Sequence, residues 1–580
     1  MAYAQTDTLL TNKMKADIQV IIERARQFYK ENINDAAELR AYARDSIRGN
    51  VNKIFAYSNS VLVLKQTLDI CRTIEDKGYW GTALVDAAAA LDTCATSGEL
   101  NPYLDKLRNA RKATALERHN EKYVGCVPEI VSAEEIGDIM ETNPKYYIYN
   151  VGAKLFLGGG ESWGTHLALE YISNPMMLIQ KMDENEEAIE GAFCVETFRP
   201  NGAIGEADFM NWSGFIDTGD QSAWELIPVD GKTNVFNIAQ YGQTHASAGK
   251  TYNGTEFEAG GKKLLGLRSG DNGYAPSYYV VDTDMHSPEL ETNQWMFVTR
   301  EEMLSLLATA SEDNPVDVSF LISNPDYDQR LTIDTWGKEN DGGNTGVWGR
   351  GGNNTNFVYE FFNTKSFRIS QDLWPAEMDE ALPAGTYVLS VQAYYRDGLE
   401  QAHVNKVLAE EGLEQRAKIY AGSINVDYTE CESMPVMPIN IEANQVPGIG
   451  WVSNPGNMRM PGQGDGCRQA AENYFPNGLY KNYLPFVLTA EDAGAIQIGI
   501  VKEADEAVTA GYGDWCVMDN WRLKYYGGGE IDPDAIKGIE SDEIKKTSTA
   551  SKGIYNLLGQ KLTKTQRGVN IIGGKKIVKK

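Results

Sequence analysis

The spacing of apolar residues divides the chain into a helical part and a part made of strands. At the start of the chain, apolar positions recur at steps of three and four, as at Ile18, Ile21 and Ala25. This is the pattern of an amphipathic helix. Turn residues such as Gly49 separate successive helical stretches by short connections, and short connections predict antiparallel neighbours. We expect a helical bundle over residues 1–124, acting as a spacer.

In the rest of the body the period becomes two, which predicts strands. Three similar sequence segments, which we call phrases, occur at residues 154–160, 213–219 and 263–270, and each contains a predicted strand that precedes a polar turn. Strands that carry Trp224 and Trp295 follow the second and third phrases. Because one hairpin cannot bury its apolar face alone whereas three around an axis can, the copies indicate an internal threefold repeat.

Residues 140–300 therefore resemble the ricin-type β-trefoil lectins, whose Gln-x-Trp signature is similar to Gln294 and Trp295 here. In that family sugars lie in shallow pockets, one per repeat, held by an Asp and a stacked aromatic ring. The resemblance implies four carbohydrate-binding residues: Trp163, Asp217, Asp271 and Tyr274. Packing within its turn is an equal alternative for Trp163, and we expect Trp224 and Trp295 to fill the core.

Residues 316–527 combine strands with long polar loops, and Tyr387, Leu389 and Val391 alternate with their neighbours along one strand. This pattern predicts an antiparallel sandwich of jelly-roll type. The phrases at 324–328 and 519–523 bracket the region, which resembles the galactose-binding-like carbohydrate-binding modules.

That family often holds a structural Ca²⁺ between its bracketing phrases, so the resemblance implies Asp328 and Asp519 as metal ligands. Two carboxylates with backbone carbonyls could supply the six to eight oxygens that Ca²⁺ takes. The alternative is that Asp519 accepts backbone N–H bonds in a turn.

Sugar recognition requires flat aromatic faces and fixed polar groups. Two glycine-rich polar loops, at residues 341–355 and 448–460, each carry a Trp and an Arg. These are further carbohydrate-binding candidates: Trp348, Arg350, Trp451 and Arg459. A Trp that packs within its own loop is the alternative.

Composition narrows the classes of function. A length of 580 residues predicts three or four domains, and a net charge of −27 argues against nucleic-acid partners and anionic membranes. No apolar stretch approaches the length of a transmembrane segment. The five histidines show no metal-ligand spacing. Of the seven cysteines, Cys71 with Cys94 and Cys431 with Cys467 could pair; buried free thiols are the alternative.

The last forty residues reverse the charge, with ten Lys and Arg against two Asp and Glu in 541–580. Short apolar runs alternate with Gly and Lys turns, as in a small β-meander. The phrases at 553–560 and 567–577 resemble the C-terminal sorting domain of type IX secretion, with Asn570 where a Tyr is usual. The resemblance implies the outer-membrane secretion machinery as a partner; a basic solvated tail is the alternative. Ala2 and Ala4 before a Gln are similar to a signal-peptidase site.

The fold class expected is a multi-domain α plus all-β protein, with a helical bundle, a β-trefoil, a jelly-roll sandwich and a small β tail (541–580). We interpret the chain as a secreted or surface-displayed, non-catalytic glycan-binding protein, with glycans or glycoproteins as partners. It would lie on the bacterial outer surface, or in the periplasm if the tail does not function. A structural or adhesive surface protein that binds protein partners is the alternative, ahead of a glycoside hydrolase, because no domain resembles a usual catalytic fold and no H-E-x-x-H motif occurs.

Overall fold

The structure, a computed structural model, divides into two compact units, Met1–Thr114 with Asp532–Lys580, and Ala115–Ile531. It describes residues 12–132, 144–161, 166–197, 208–218, 221–250, 256–269, 279–327, 335–349, 357–373, 381–409, 411–440, 443, 452–453, 458–462, 466–504, 512–528, 554–556, 561–562, 568–572 and 575–579. The chain is a mixed α plus β protein of several parts, as expected, with helices first and many strands in several sheets after them.

The first unit contains α1 (Asn12–Glu31), α2 (Ala36–Tyr42), α3 (Gly49–Cys71), α4 (Ala83–Thr93) and α5 (Ser97–Ala115). Its core lies where the second half of α3 packs with α4 and α5, around Leu64, Leu68 and Leu107. Ala83, Ala87 and Ala90 on α4 are buried there, and their small side chains allow the helices to approach closely. Among described side chains before residue 51, none is buried.

The expected break at Gly49 is wrong. A π-helical turn, Ala43–Arg48, joins α2 directly to α3, so the helix runs on through Gly49. A single glycine costs a helix only about 1 kcal/mol relative to alanine. Asn50 bonds within the helix, because its side-chain amide donates to the Ser46 carbonyl at 2.7 Å. With these groups satisfied, nothing local ends the helix.

The second unit begins with strands of a thirteen-stranded sheet and a small two-stranded one, β11 with β12. These strands are β1 (Ile130–Val131), β2 (Tyr147–Asn150), β3 (Leu155–Glu161), β4 (His166–Glu170), β5 (Met177–Met182), β6 (Ala188–Glu196), β7 (Asp208–Met210), β8 (Ile216–Thr218), β9 (Trp224–Pro228), β10 (Phe236–Thr244), β11 (Gly249–Lys250), β12 (Glu256–Phe257), β13 (Lys262–Ser269), β14 (Tyr279–Met285) and β15 (Trp295–Val298).

Six of these strands form a ring of pairings that returns to its start. The ring runs β2, β15, β10, β9, β6 and β5, and a bridge between Tyr146 and Met176 joins β5 to β2. Three antiparallel hairpins extend from it: β3–β4, β7–β8 and β13–β14. The region therefore contains one hairpin in each third of its length.

Two tryptophans occupy matching places in this ring. The Trp224 indole donates to the Met210 carbonyl at 3.1 Å, and the Trp295 indole donates to the Leu265 carbonyl at 2.9 Å. Each bond joins a ring strand to the first strand of a hairpin, and both indoles are fully buried, as expected for core residues. The corresponding ring strand of the first third, β5, begins at Met177 and has no Trp.

The three recurring phrases are not equivalent in the structure. Residues 154–160 and 263–270 contribute the first strands of their hairpins, β3 and β13, whereas residues 213–219 contribute the second strand, β8. The threefold arrangement follows instead from the order of strands and from the two buried tryptophans. Short apolar phrases with glycine fit either strand of a hairpin, so their recurrence does not set the register.

After α6 (Arg300–Ser305) the chain forms two further antiparallel sheets. Their strands, with two short ones, β24 and β25, that pair separately, and the helices between them are β16 (Val316–Asp317), β17 (Gly337–Asp341), β18 (Asn344–Gly349), β19 (Phe357–Phe362), β20 (Ser366–Leu373), β21 (Gly385–Arg396), α7 (Glu400–Leu408), β22 (Ala417–Ser423), β23 (Glu432–Pro435), β24 (Val452–Ser453), β25 (Met458–Arg459), α8 (Gly466–Gln469), β26 (Lys481–Leu488), β27 (Ile496–Lys502) and β28 (Trp515–Tyr525).

The six-stranded sheet has the order β18-β19-β28-β21-β26, with β16 also paired to β28; the five-stranded sheet has the order β17-β20-β27-β22-β23. Apolar side chains from both sheets, among them Ile369, Leu389 and Ile500, belong to one buried core. That core continues into the ring of strands, where the rings of Tyr147 and Phe320 meet at 6.4 Å between centroids. The two β systems therefore share one apolar interior.

Three smaller findings complete the fold. The tail forms a four-stranded sheet from β29 (Ile554–Asn556), β30 (Lys561–Leu562), β31 (Gly568–Ile572) and β32 (Lys575–Lys579), in the order β30-β29-β31-β32 rather than that of a meander. All seven cysteines are free thiols, so the suggested pairs Cys71–Cys94 and Cys431–Cys467 do not form. Within the described ranges, no helix combines the length and apolar character needed to span a bilayer.

Candidate functional site

The strand that carries Trp348 begins at a turn built from glycines. Gly342 and Gly343 have φ of +69° and +70°, a conformation that side chains with a Cβ rarely adopt. A Cβ on Gly343 would lie 2.3 Å from the Phe362 carbonyl oxygen. This turn takes the chain from β17 in one sheet to β18 at the edge of the other, so it fixes where β18 begins.

Trp348 presents its indole to solvent from this edge strand. The side chain is 51 % exposed, whereas Val347, the next residue along the strand, packs against the core. Since neighbouring residues of a strand point to opposite faces, the half-buried Val347 holds Trp348 outward. Gly346 lies two residues before it on the same face, where a Cβ would be 4.0 Å from the indole nitrogen. Because Gly346 has no side chain, the strand backbone beside the Trp348 indole is not covered.

The residues that share one side of β18 with the indole form the surface that we call the Trp348 face: Asn344, Gly346 and Trp348. Asn344 is exposed, whereas Thr345 points to the other side of the strand, where its hydroxyl donates to the Tyr359 hydroxyl at 2.9 Å. An exposed aromatic ring beside an amide can stack on the C–H side of a pyranose while the amide bonds its hydroxyls.

Glu360 pairs with Gly346 across the ladder, so it lies on the same side of the sheet as the Trp348 face, and its carboxylate has a structural role there. Its carboxylate accepts from the Trp515 indole at 2.7 Å and from the Cys467 thiol at 2.9 Å. Burial and the nearby Glu360 carboxylate raise the pKa of Cys467 well above its usual range. The thiol therefore stays protonated and donates to Glu360, so it is not poised as a nucleophile.

The largest buried group of charges lies at the ends of β21 and β28. Asp397 accepts from Lys406 at 2.7 Å and from Arg416 at 2.6 Å. Asp514 lies 2.8 Å from the Lys502 ammonium and accepts the backbone N–H of Gly398 at 2.8 Å. These carboxylates are compensated by fixed cations and hydrogen bonds, which is the pattern of a structural network.

Most residues singled out from the sequence fall outside the described ranges. This applies to Trp163, Asp271, Tyr274, Asp328, Arg350 and Trp451. Asp217 lies on β8, paired with Phe209, and Arg459 lies on β25, paired with Val452; for both, only the backbone is described. Trp348 and Asp519 are the two candidates whose side chains the described ranges include.

Asp519 alone does not make a calcium site. It is 6 % exposed and accepts the Asn520 backbone N–H at 2.7 Å and the Asn520 amide at 3.2 Å. The bracketing phrases do meet, since the Trp521 backbone N–H donates to the Pro325 carbonyl at 3.0 Å. However, Asp326 pairs with Arg522 at 2.6 Å, and the described residues contain no group of three His, Cys, Asp or Glu that could hold an ion.

Sequence reasoning missed the residues around Trp348 because it treated 341–355 as one loop. The signal was present: Asn344, Gly346 and Trp348 alternate with Thr345 and Val347, which is the period of a strand. Other aromatic residues of the sandwich, including Trp336 and Tyr474, are buried in its core and present no surface to a ligand.

Comparisons with known proteins assign no family to the chain. No protein-family model and no curated protein matches it. Among solved structures, a carbohydrate-binding module of the β-sandwich superfamily, described as promiscuous in specificity, is 10% identical, with 52% of this chain and 96% of that chain covered and a TM-score of 0.17. A Stig cyclase, FisC from Fischerella sp. TAU, is 10% identical, with 33% of this chain and 76% of that chain covered and a TM-score of 0.16.

A secreted serine protease, VesC from Vibrio cholerae, is 9% identical, with 72% of this chain and 84% of that chain covered, at a TM-score of 0.13. The carbohydrate-binding module is thus a weak structural neighbour of this chain. Since all three TM-scores lie far below 0.5, the likenesses assign neither fold nor function.

Proposed function

We propose that the protein is a non-catalytic glycan-binding protein and that the Trp348 face is one place where it binds. The exposed indole of Trp348, held outward by the half-buried Val347 and accompanied by Asn344 on the same side of the strand, carries the proposal. The ligand is a neutral glycan, because a net charge of −27 repels sulfated and uronic sugars.

The strand pairings support the finer fold assignments that belong to this proposal. A ring of six strands with three hairpins is the arrangement of a β-trefoil, and two facing antiparallel sheets fit a jelly-roll sandwich. Both folds are found in proteins with many unrelated functions. The proposal therefore rests on the Trp348 face rather than on the folds.

A glycan array followed by calorimetry on the best neutral glycan tests the proposal. Trp348→Ala should weaken binding at least tenfold, about 1.4 kcal/mol, because truncating an aromatic contact at the centre of an interface costs this much or more. Phe55→Ala is the matched control, since it removes a ring that is 68 % exposed on α3. Equal affinity of the two variants would remove the Trp348 face from the proposal, and an array without hits would remove glycan binding.

Calcium binding by Asp328 and Asp519 belongs to the same proposal. The meeting of Pro325 with Trp521 supports it, because this contact brings the bracketing phrases together. A chelator should then lower the melting temperature of the chain, and Asp519→Asn should abolish that difference. An unchanged melting temperature in chelator would count against a structural ion.

Secretion to the cell surface is the part of the proposal that the tail carries. Its basic charge and its phrases support an address read by a secretion system, and the body would then meet glycans outside the cell. The alternative is a structural or adhesive protein with protein partners. It predicts that the chain captures a protein in a pull-down and that added glycans do not compete with this binding.

A further inference from the structure

A buried cluster of charged and aromatic residues lies where the ring of strands meets the sandwich. We call it the junction cluster: His119, Glu121, Tyr171, Asp317 and Arg522. His119 and Glu121 belong to the segment after α5, Tyr171 follows β4 of the ring, and Asp317 and Arg522 lie on β16 and β28 of the sandwich. His119, Tyr171, Asp317 and Arg522 are all less than 8 % exposed. Such groups require mutual compensation, because water does not reach them.

Tyr171 stands at the centre of the cluster. Its hydroxyl donates to Asp317 Oδ2 at 2.5 Å, which joins the ring of strands to the sandwich. Its aromatic ring stacks on the His119 imidazole, with 4.3 Å between centroids and 15° between planes, and the Arg522 guanidinium carbon lies 4.6 Å from its centroid. Cations near an aromatic face are attracted to it, and desolvation strengthens that attraction.

The hydrogen-bond partners of His119 define its charge. Its Nε2 lies 2.8 Å from the Tyr171 carbonyl oxygen and its Nδ1 lies 3.2 Å from Glu121 Oε2. A carbonyl only accepts and an ionised carboxylate only accepts, so satisfying both requires a proton on each nitrogen. The Tyr123 hydroxyl, 3.5 Å from Nδ1, is too distant to replace Glu121 as partner.

We propose that His119 is a proton-operated lock between the two β systems. With both nitrogens protonated, the imidazolium bonds Tyr171 and Glu121 and stacks on the Tyr171 ring. Glu121 in turn accepts the Asp317 backbone N–H at 2.8 Å, which extends the tie to β16. When the proton leaves, one bond to an acceptor is lost and the contact between ring and sandwich loosens.

The groups that face His119 support this assignment. Glu121 and Asp317 are acidic, Tyr123, Tyr149 and Tyr171 are phenols, and Phe156 packs edge-on at 4.9 Å. Burial by itself lowers the pKa of His119, but the Glu121 hydrogen bond and the Asp317 charge outweigh burial and raise it above 6.5. The cations of the cluster, Arg522 and the neighbouring Lys524, act on Glu117 and Asp317.

The direction of the pH effect follows from this charge. A histidine whose pKa is raised on folding contributes stability that is fully present below 6.5, the pKa of the unfolded chain. That stability is lost as the pH rises through the folded pKa. The lock is therefore closed in mildly acidic solution and opens as the pH rises through the raised pKa of His119.

His403 is a matched control of opposite sign within the same chain. It is 1 % exposed, like His119. However, its Nδ1 accepts the Asp397 backbone N–H at 3.2 Å, while its Nε2 lies 2.8 Å from the Ile439 carbonyl. One donor and one acceptor require a neutral ring, and burial lowers the pKa of His403.

Side-chain NMR of the full chain, labelled at its five histidines, tests the lock. His119→Gln and His403→Gln assign the signals. We expect the His119 signal to titrate above pH 6.5 and the His403 signal below it. Hydrogen exchange should then increase in 168–173 and 315–320 above the His119 midpoint, and this increase should be absent in His119→Gln but present in His403→Gln.

Two results would overturn the proposal. A His119 midpoint at or below 6.5 would show that folding does not favour the protonated ring. Protection of 168–173, corrected for the intrinsic rise of amide exchange with pH, that is unchanged across the His119 midpoint would show that the proton does not control the junction. The exchange measurement uses the unaltered chain, so it remains decisive if a variant does not fold.

Discussion

At the scale of single residues, buried charges in the sandwich depend on partners at fixed distances. Asp397 is 2 % exposed and accepts from Lys406 and Arg416. Burial by itself raises the pKa of Asp397, but the bonds from Lys406 and Arg416 outweigh it and lower the pKa below its usual range. A carboxylate with a lowered pKa contributes stability above the unfolded pKa, which is lost as the pH falls through the folded pKa.

We therefore predict that Asp397→Asn lowers the free energy of unfolding at pH 7 by about 3 kcal/mol, since it removes the buried carboxylate that Lys406 and Arg416 share. The difference from the parent chain should shrink as the pH falls below about 4, where the parent carboxylate also becomes protonated. Urea unfolding across this range measures both effects. A constant difference down to pH 3 would contradict the assigned charge.

Two glycines in matching hairpin strands offer a second test at this scale. A Cβ on Gly266 would lie 2.0 Å from Asn293 Oδ1, and a Cβ on Gly158 would lie 2.1 Å from Glu170 Oε2. Asn293 is fully buried and donates to the Ser287 carbonyl at 2.9 Å, whereas Glu170 is partly exposed and meets the Cβ with the far end of a longer side chain.

Gly266→Ala should therefore destabilise the chain by about 2 kcal/mol, while Gly158→Ala should cost less than about 1 kcal/mol. Thermal unfolding measures the difference. Gly412→Ala is the control, because nothing lies within 4 Å of a Cβ there. Similar losses at positions 266 and 158 would show that the Asn293 bond does not matter.

The sequence could not predict the junction cluster. His119, Tyr171 and Asp317 are far apart along the chain. Only the pairing of distant strands brings them together. Trp348 could be predicted as a candidate from its polar, glycine-rich surroundings, but Trp336, in similar surroundings, is buried, because the exposure of one tryptophan depends on the register of its strand.

At the scale of elements, the periodicity of apolar residues predicted helices and strands better than turn residues such as glycine predicted where they end. The stripe at Ile18 and Ile21 gave α1, and the alternation at Tyr387 and Leu389 gave β21. The helix break expected at Gly49 was wrong, because one glycine in a long helix costs less than the hydrogen bonds that a break would lose. Of the two interpretations of the cysteines, the free thiols are the one that the structure shows, because spacing along the chain does not report distance in the fold.

The helical unit offers a prediction at this scale. Leu107 on α5 is fully buried among α3 and α4, while Ile22 on α1 is 39 % exposed. Leu107→Ala should cost about 3 kcal/mol of unfolding free energy, because it removes apolar contacts and leaves a cavity. Ile22→Ala should stay within about 0.5 kcal/mol. Denaturation of the full chain followed by helical circular dichroism measures both; equal losses would contradict the assigned core.

At the scale of the whole molecule, the tail differs from the body in charge and in composition. We predict that a chain ending at residue 530 keeps the melting temperature of the body within one or two degrees. A reporter fused to residues 541–580 should reach the surface of a host with type IX secretion. Asn570→Tyr is the informative variant, since it restores the residue usual in the sorting family. A reporter that stays in the periplasm with both tails would contradict the address.

The apolar interior shared by the ring of strands and the sandwich has a consequence for valency. Two modules on a flexible linker adopt many separations, and each separation is sampled only part of the time. Here no linker intervenes, so any two ligand sites on these β systems keep one spacing. A long glycan whose repeats match that spacing gains avidity without loss of chain entropy, and one whose repeats do not match gains none. Affinity should therefore vary with repeat length in steps rather than smoothly.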